Sequence, residues 1–325
     1  MDENLFEPGQ EVHELNEVLN TVKDEMAKAI VGQHELVEML LVGLLCDGHI
    51  LIEGVPGVAK TLAAKLIAKT IDADFSRIQF TPDLMPSDVI GTTVFDQQAG
   101  SFTFKRGPVF SNIILIDEIN RAPAKTQAAL FEVMEERQVT VDGVTHAMEY
   151  PFVILATQNP VEQEGTYRLP EAQLDRFLFK LEVHYPTLEE EVQILNGQNN
   201  ANQTDLLSRV QPVLTPGKLR QLRDIIMNIN IEPRIVQYIA QIVHETRGHA
   251  SLFLGASTRA SLALLKASKA TAALRNRDFV IPEDVVHVAG PVLRHRIILT
   301  PEKEMEGITP DELIQSIIQS IEVPR

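Results

Sequence analysis

Three short apolar runs without a polar member punctuate the first half of the chain: Ile50-Leu51-Ile52, Ile113 to Ile116, and Phe152 to Ala156. Uninterrupted runs of this length predict strands buried on both faces, as in a parallel sheet covered by helices. Helix-favouring stretches such as Leu62 to Lys69 lie between them, so the segment up to Pro186 reads as alternating strands and helices. From Thr187 onward the pattern changes. Helix starts recur there without convincing strands: Thr187 with Glu190, Thr215-Pro216, Pro233, Thr258, Pro282, and Thr309-Pro310 with Glu312. These are capping residues followed by first-turn prolines and capping-box acids. The expected organisation is an α/β core over 1–186 and a helical domain over 187–325. Neither an internal repeat nor a low-complexity tail interrupts it, and the Asn- and Gln-rich stretch Asn196 to Asp205 is expected to be a flexible loop.

Two segments break the simple alternation. Between Asp83 and Ser111, the runs Thr92 to Phe95 and Ser101 to Phe104 flank the turn-forming Asp96 to Gly100, which predicts an inserted hairpin. A second hairpin is expected at 137–146, where Gln138 to Val141 and Val144-Thr145 are joined by Asp142-Gly143.

Chemistry enters at the end of the first strand. Gly54-Val55-Pro56-Gly57-Val58-Ala59-Lys60-Thr61, with Leu62 opening the helix, stands between a strand and a helix. Consecutive backbone N–H groups in such a loop form an anion nest, and the helix adds its positive dipole end. Lys60 supplies a point charge, and Thr61 a hydroxyl suited to magnesium. Ala59 occupies a position where glycine is usual, and its methyl group is expected to fit through right-handed helical geometry. Asp117-Glu118 closes the second apolar run, at the strand end where open α/β sheets bind ligands. Asp117 can hold magnesium through water while Glu118 orients and deprotonates an attacking water, so hydrolysis is expected as well as binding. Asn159, at the tip of the third run, can hydrogen-bond the γ-phosphate or that water.

Composition narrows the partners. Asp plus Glu number 45 against 29 Lys plus Arg, a formal charge of −16, and no window gathers a dense basic stripe. Nucleic-acid binding, which needs clustered cations, is therefore disfavoured. Arg294-His295-Arg296 is expected to pack at the domain junction. The single Cys46 has no disulfide partner and reads as a small buried hydrophobe, and nine histidines show no paired metal spacing. With no basic start, apolar leader or membrane-spanning run, a cytoplasmic location is expected.

These segments, taken with Ile30-Val31-Gly32-Gln33, Gln79 to Asp88, Asp117 to Ala122, Ala156 to Pro160, Leu169 to Phe177 and Gly255 to Arg259, resemble the MoxR family of AAA+ ATPases over nearly the whole chain. Alanine at position 59 is usual in that family; Thr258 stands where it commonly has proline. The resemblance implies an AAA+ P-loop core with a parallel sheet, a helical lid, ATP and Mg2+ as ligands, and ATP hydrolysis in a homo-oligomeric ring, a hexamer. By the same resemblance Lys60 and Thr61 bind phosphate and magnesium, Asp117 and Glu118 form the Walker B pair, and Asn159 is the first sensor. Arg176 would be the arginine finger, with Arg168 as its rival. Arg259 would be the second sensor, drawing lid and core together on the γ-phosphate. Val31 and Gly32 would lie against the adenine. The two hairpins resemble the helix-two insert and the pre-sensor hairpin of the clade that also holds magnesium chelatase motors and minichromosome-maintenance helicases. Implied partners are a protein client and a protein bearing a von Willebrand factor A domain, in a maturation or metal-insertion role. A nucleic-acid-stimulated motor and a nucleotide-gated scaffold are the alternative readings.

Overall fold

The structure is a computed structural model; it describes residues 9–324 except Pro56, Ala99, 160–166, Arg168 and 200–205, and gives no side chains for 197–199. The core opens with helices α1 (Gln10–Ala27) and α2 (His34–Leu45) and continues through β1 (Ile50–Gly54), α3 (Lys60–Thr70), β2 (Phe75–Gln79) and α4 (Pro86–Ile90). Strands β3 (Gly91–Asp96) and β4 (Ser101–Arg106), then β5 (Ile113–Asp117), α5 (Ala124–Glu136), β6 (Gln138–Val141) and β7 (Val144–Ala147) follow. The core closes with β8 (Val153–Gln158), α6 (Glu171–Leu174) and β9 (Phe179–Val183).

Strands β2-β5-β8-β1-β9 form one parallel sheet in that order. The order sets side by side the three strand tips that carry the candidate motifs, with β8 between β5 and β1. Ile113, Ile114, Leu115 and Ile116 are fully buried, as a run without polar members requires when helices cover both sheet faces. Burying four such side chains stabilises the core by roughly 1.5–3 kcal/mol each.

Both predicted hairpins are present. β3 and β4 pair antiparallel, as do β6 and β7 through the Asp142-Gly143 turn, whose residues have φ of 50° and 79°. Two positive φ values match the turn that follows the strands' right-handed twist. The hairpins touch: the Phe104 and His146 rings stack 4.7 Å apart, and Thr93 hydrogen-bonds the Asp142 carboxylate.

Beyond β9 come α7 (Leu188–Asn199), α8 (Pro216–Met227), α9 (Pro233–Gly248), β10 (Leu252–Leu254), α10 (Thr258–Leu274), α11 (Pro282–Leu293), β11 (Ile298–Leu299), α12 (Pro301–Met305) and α13 (Pro310–Ser320). Every helix start predicted from a cap or proline is a helix start here. At α13, Thr309 and Glu312 exchange the two capping-box hydrogen bonds, and Thr187 and Glu190 do the same before α7. Two expectations fail in this half. β10 and β11 form a short antiparallel pair, too brief to leave a sequence pattern. Residues Asn196 to Asn199 are the last turn of α7 and not loop, since an Asn- and Gln-rich segment can extend a helix already nucleated by a good cap; 200–205, the rest of that stretch, lie outside the described residues.

The helical part is bound tightly to the core. Arg296 donates to the Asp175 carboxylate at 2.8 Å and to the carbonyls of Phe177 and Leu178, while Arg294 pairs with Asp311 and reaches the Lys180 carbonyl. The Arg294-His295-Arg296 group therefore packs at the junction, as expected. A second tie runs through Asp47, which accepts from Arg137 of the core and Arg223 of α8. Cys46 ends α2, and burial pushes its thiol up to about 12, so it stays a neutral apolar group.

Candidate functional site

At the C-terminal edge of the sheet, β1 ends in Gly54 and α3 begins at Lys60, which sets the loop over the N-terminus of α3. Pro56 lies outside the described residues. Gly57 has φ +89°, a conformation that costs glycine little and exposes the loop's backbone N–H groups. Ala59 departs from expectation: it has φ 61° and ψ 15°, in the left-handed region, and not the right-handed geometry anticipated for its methyl group. The loop must reverse at this residue to point α3's first N–H groups inward, so strain of about 1–2 kcal/mol is held at the phosphate cradle. Lys60 Nζ donates to the Gly54 carbonyl at 2.5 Å, folding its ammonium back over the loop. Burial pulls the Lys60 ammonium below its ordinary value, while Asp117, Glu118 and Glu53 pull it back up.

The neighbouring strand tips supply the acids. Asp117 is buried at the end of β5 and accepts from Arg77 Nε at 2.6 Å and from Thr157 Oγ1 at 3.2 Å. Thr157 in turn accepts the Glu118 N–H at 3.1 Å, so one hydroxyl on β8 ties the two acids to the adjacent strand. Glu118 has φ 59°, which swings its side chain out of the strand direction. Its carboxylate accepts from Gln79 Nε2 at 2.6 Å and lies 3.2 Å from Arg121 Nε. Asn159 follows β8 directly and is buried between the two sites.

Arg77, Gln79 and Thr157 have no role in the sequence pattern, although Gln79 and Thr157 stand within two of its motif segments. The available signal was register: Gln79 pairs with Asp117 across β2 and β5, so polar residues at the end of β2 had to meet the acid pair. Reading it needed the strand order, which sequence does not supply.

Val31 and Gly32 lead into α2, where Gly32 has φ +67° and faces the Glu190 carboxylate so closely that a Cβ would lie 2.3 Å from Oε1. Gln33 reaches the His184 carbonyl at 3.2 Å. Gln33, with His34, Leu36 and Tyr185, borders a cavity of about 390 Å³, on the same sheet edge as the phosphate loop because Val183 pairs with Gly54; Gly32 instead lines a separate, smaller cavity with Ile30 and Val37. The cradle, the cavity beside it and the tethered acids fit a nucleoside triphosphate. Among the described residues no cluster of three or more His, Cys, Asp or Glu could hold a metal by itself, so a divalent ion would sit between Thr61, Asp117 and the nucleotide's own phosphates.

The arginines lie elsewhere. Arg176 precedes β9 and donates to the Phe131 carbonyl, with Nε 3.5 Å from Glu135 Oε2. Arg259, in the first turn of α10, donates to the other Glu135 oxygen at 2.7 Å. Glu135 follows Met134, whose carbonyl meets His49 just before β1, so this cluster sits at the N-terminal edge of the sheet. Five-residue parallel strands separate it from the phosphate loop, roughly 16 Å. Arg259, expected to contact the γ-phosphate from the lid, is here held by Glu135; the lid is tied to the same edge by Arg296 and Asp175, and Ser257, the α10 cap, also bonds Asp175. Arg168, the rival finger, lies outside the described residues.

Comparison with known proteins places this geometry. The model for the ATPase family associated with various cellular activities matches residues 49–179, and that for the AAA lid domain matches 244–317. The chain is 45% identical over 324 residues to Chaperone MoxR1 of Mycobacterium tuberculosis, covering 97% of this chain and 84% of that protein. It is 45% identical to the uncharacterized protein YeaC of Bacillus subtilis, covering 96% of each. The crystal structure of a candidate ATPase from Cytophaga hutchinsonii superposes with a TM-score of 0.91 at 44% identity, over 97% of this chain and 98% of that one.

Proposed function

The chain belongs to the MoxR family of AAA+ ATPases and is an ATP-hydrolysing enzyme, and from that membership we propose that it is a ring-forming chaperone whose hydrolytic sites are each completed by a neighbouring copy. The observation that carries this reading is the shared grip of Glu135 on Arg176 and Arg259, at the sheet edge opposite the chain's own phosphate loop. Two arginines held together at the edge opposite the loop suit delivery to the next copy's nucleotide.

In this reading the loop N–H groups and Lys60 hold the phosphates. Glu118 takes a proton from the attacking water, released for the purpose from Gln79 and Arg121, while Asn159 orients that water. Magnesium held by Thr61 and Asp117 would neutralise charge on the phosphates. Arg176 and Arg259 of the adjacent copy stabilise charge on the transferred group. The hairpins are assigned to client contact: Phe95 and Phe102 pack edge to face and are 53% and 74% exposed, two adjacent apolar rings that a client could cover. A protein client, matured with the help of a von Willebrand factor A domain partner, fits this surface and the acidic charge.

Glu118→Gln should bind ATP with unchanged affinity and lose turnover. Protein trapped in that state, used to capture partners from native lysate against wild type with ADP, should retain a von Willebrand factor A protein or a cofactor enzyme. Recovery of nucleic acid in their place would refute the chaperone reading, and wild-type turnover by Glu118→Gln would refute the site.

A further inference from the structure

Helix α7 carries an apolar stripe that the described residues do not cover. Leu188, Val192 and Leu195 are 73%, 48% and 61% exposed, and Tyr185 just before the helix is 71% exposed. At roughly 100° per residue these helical positions cluster on one side. Glu190 and Ile194, the half-buried positions, fall on the opposite side, where Glu190 meets Gly32. The stripe therefore points squarely away from the fold. Exposed Glu189 and Glu191 flank it.

Its position is what gives it meaning. α7 leaves the sheet from β9 at the edge that holds the phosphate loop, since Val183 pairs with Gly54. Any copy that brings Arg176 and Arg259 to this nucleotide must approach the same edge. Beside those arginines lies a second uncovered apolar group. Leu254 lines a small cavity with Asp175 and Ser257, and Leu262, 58% exposed, is one turn along α10 from Arg259 on the same face. An apolar stripe with acidic flanks and an apolar patch beside two arginines are complementary, and they occupy opposite edges of one chain. Such surfaces meet only head to tail, between different copies.

We infer that the outer face of α7, Leu188, Val192 and Leu195, seats a second copy of this chain through that copy's Leu254 and Leu262 beside its arginines. This rests on the proposed delivery of Arg176 and Arg259 between copies and adds the surface that aligns them.

The test uses the full chain with ATP and magnesium, followed by sedimentation velocity, binding of a fluorescent ATP analogue and turnover. Leu188→Glu/Leu195→Glu changes only exposed positions, so it should fold and bind the analogue as wild type does. Its assembly should fail at concentrations where wild type assembles, and turnover should fall by at least about tenfold. Leu262→Glu, on the other surface, should fail alike, and mixing the two variants should yield pairs joined by the one junction still intact. Wild-type assembly by Leu188→Glu/Leu195→Glu would overturn the role of α7. If that occurs while Arg176→Ala still abolishes turnover, delivery between copies survives and only the surface is wrong. If wild type does not assemble and Arg176→Ala turns over normally, the underlying reading itself falls.

Discussion

The two edges of one five-stranded sheet do different work here. At the C-terminal edge, Ala59 and Glu118 are both held at φ near 60°, and the acids are restrained by side chains from neighbouring strands. The opposite edge is a joint. There His49 bridges the Ile154 N–H and the Met134 carbonyl, Arg296 locks β9 to the lid, and Glu135 gathers Arg176 and Arg259. Left-handed residues occur at both edges, Ala59 and Glu118 at one and Asp47 and Arg137 at the other, so what separates them is the network of charged ties between core and lid at the joint. The contrast teaches that motif residues of one chain need not converge on one place, because strand length keeps the two edges apart.

The comparison breaks most readily at Arg176. If the opposite edge serves a neighbour's nucleotide, Arg176→Ala should lower kcat by about 10³-fold or more with ATP binding preserved, measured by steady-state turnover beside equilibrium binding. Adding catalytically dead Glu118→Gln should restore turnover to it, since each supplies what the other lacks. Absence of rescue would place the arginine's effect within its own chain.

Glu135 should matter less. It holds both guanidinium groups without touching nucleotide, so Glu135→Ala should cost between about 10- and 100-fold in kcat by loosening their placement. Affinity for ATP should be unchanged and Glu135→Asp should recover part of the loss; a parallel loss of affinity would mean that the fold had been damaged.

The joint should also show itself in acid. Burial, aided by the Arg137 charge, pulls the His49 imidazole down to about 3, so the folded state stays unprotonated where the unfolded chain, with an ordinary value near 6.5, takes up a proton. The unfolded state thus binds more protons between those values, and stability is lost as pH falls below about 6.5, at up to about 1.4 kcal/mol per pH unit from this group. Denaturant melts between pH 7 and 5 should show that slope, and His49→Asn should flatten it.

Smallest is the effect at the loop edge. Ala59→Gly relieves a left-handed alanine at the cost of unfolded-state entropy, for a net gain of about 0.5–1 kcal/mol. Thermal melts should move up by a degree or two; a downward shift would show that Ala59 is not strained.

Much of this molecule was legible in one dimension. Ile113 to Ile116, followed by two acids, predicted a doubly covered strand with its functional tip, because such an apolar run is stable only where helices bury both faces. The loop before Lys60 and Thr61 was predicted by spacing, since a turn from strand to helix is built from consecutive residues. Caps such as Thr309 with Glu312 predicted helix starts because capping is a contact three residues long. The roles of Arg77, Gln79 and Thr157 were not visible, as they depend on β2, β5 and β8 lying in that order.

Local features were thus settled by sequence: which loop joins β1 to α3, which carboxylates stand at a strand end, where helices begin. Tertiary structure alone decided that Ala59 is left-handed, that Glu135 joins two arginines 41 and 124 residues away, and that those arginines face away from the loop they resemble partners of. The reason is that a hydrogen bond between distant residues is set by how elements pack, and packing is a property of the whole buried surface, not of any segment that contributes to it.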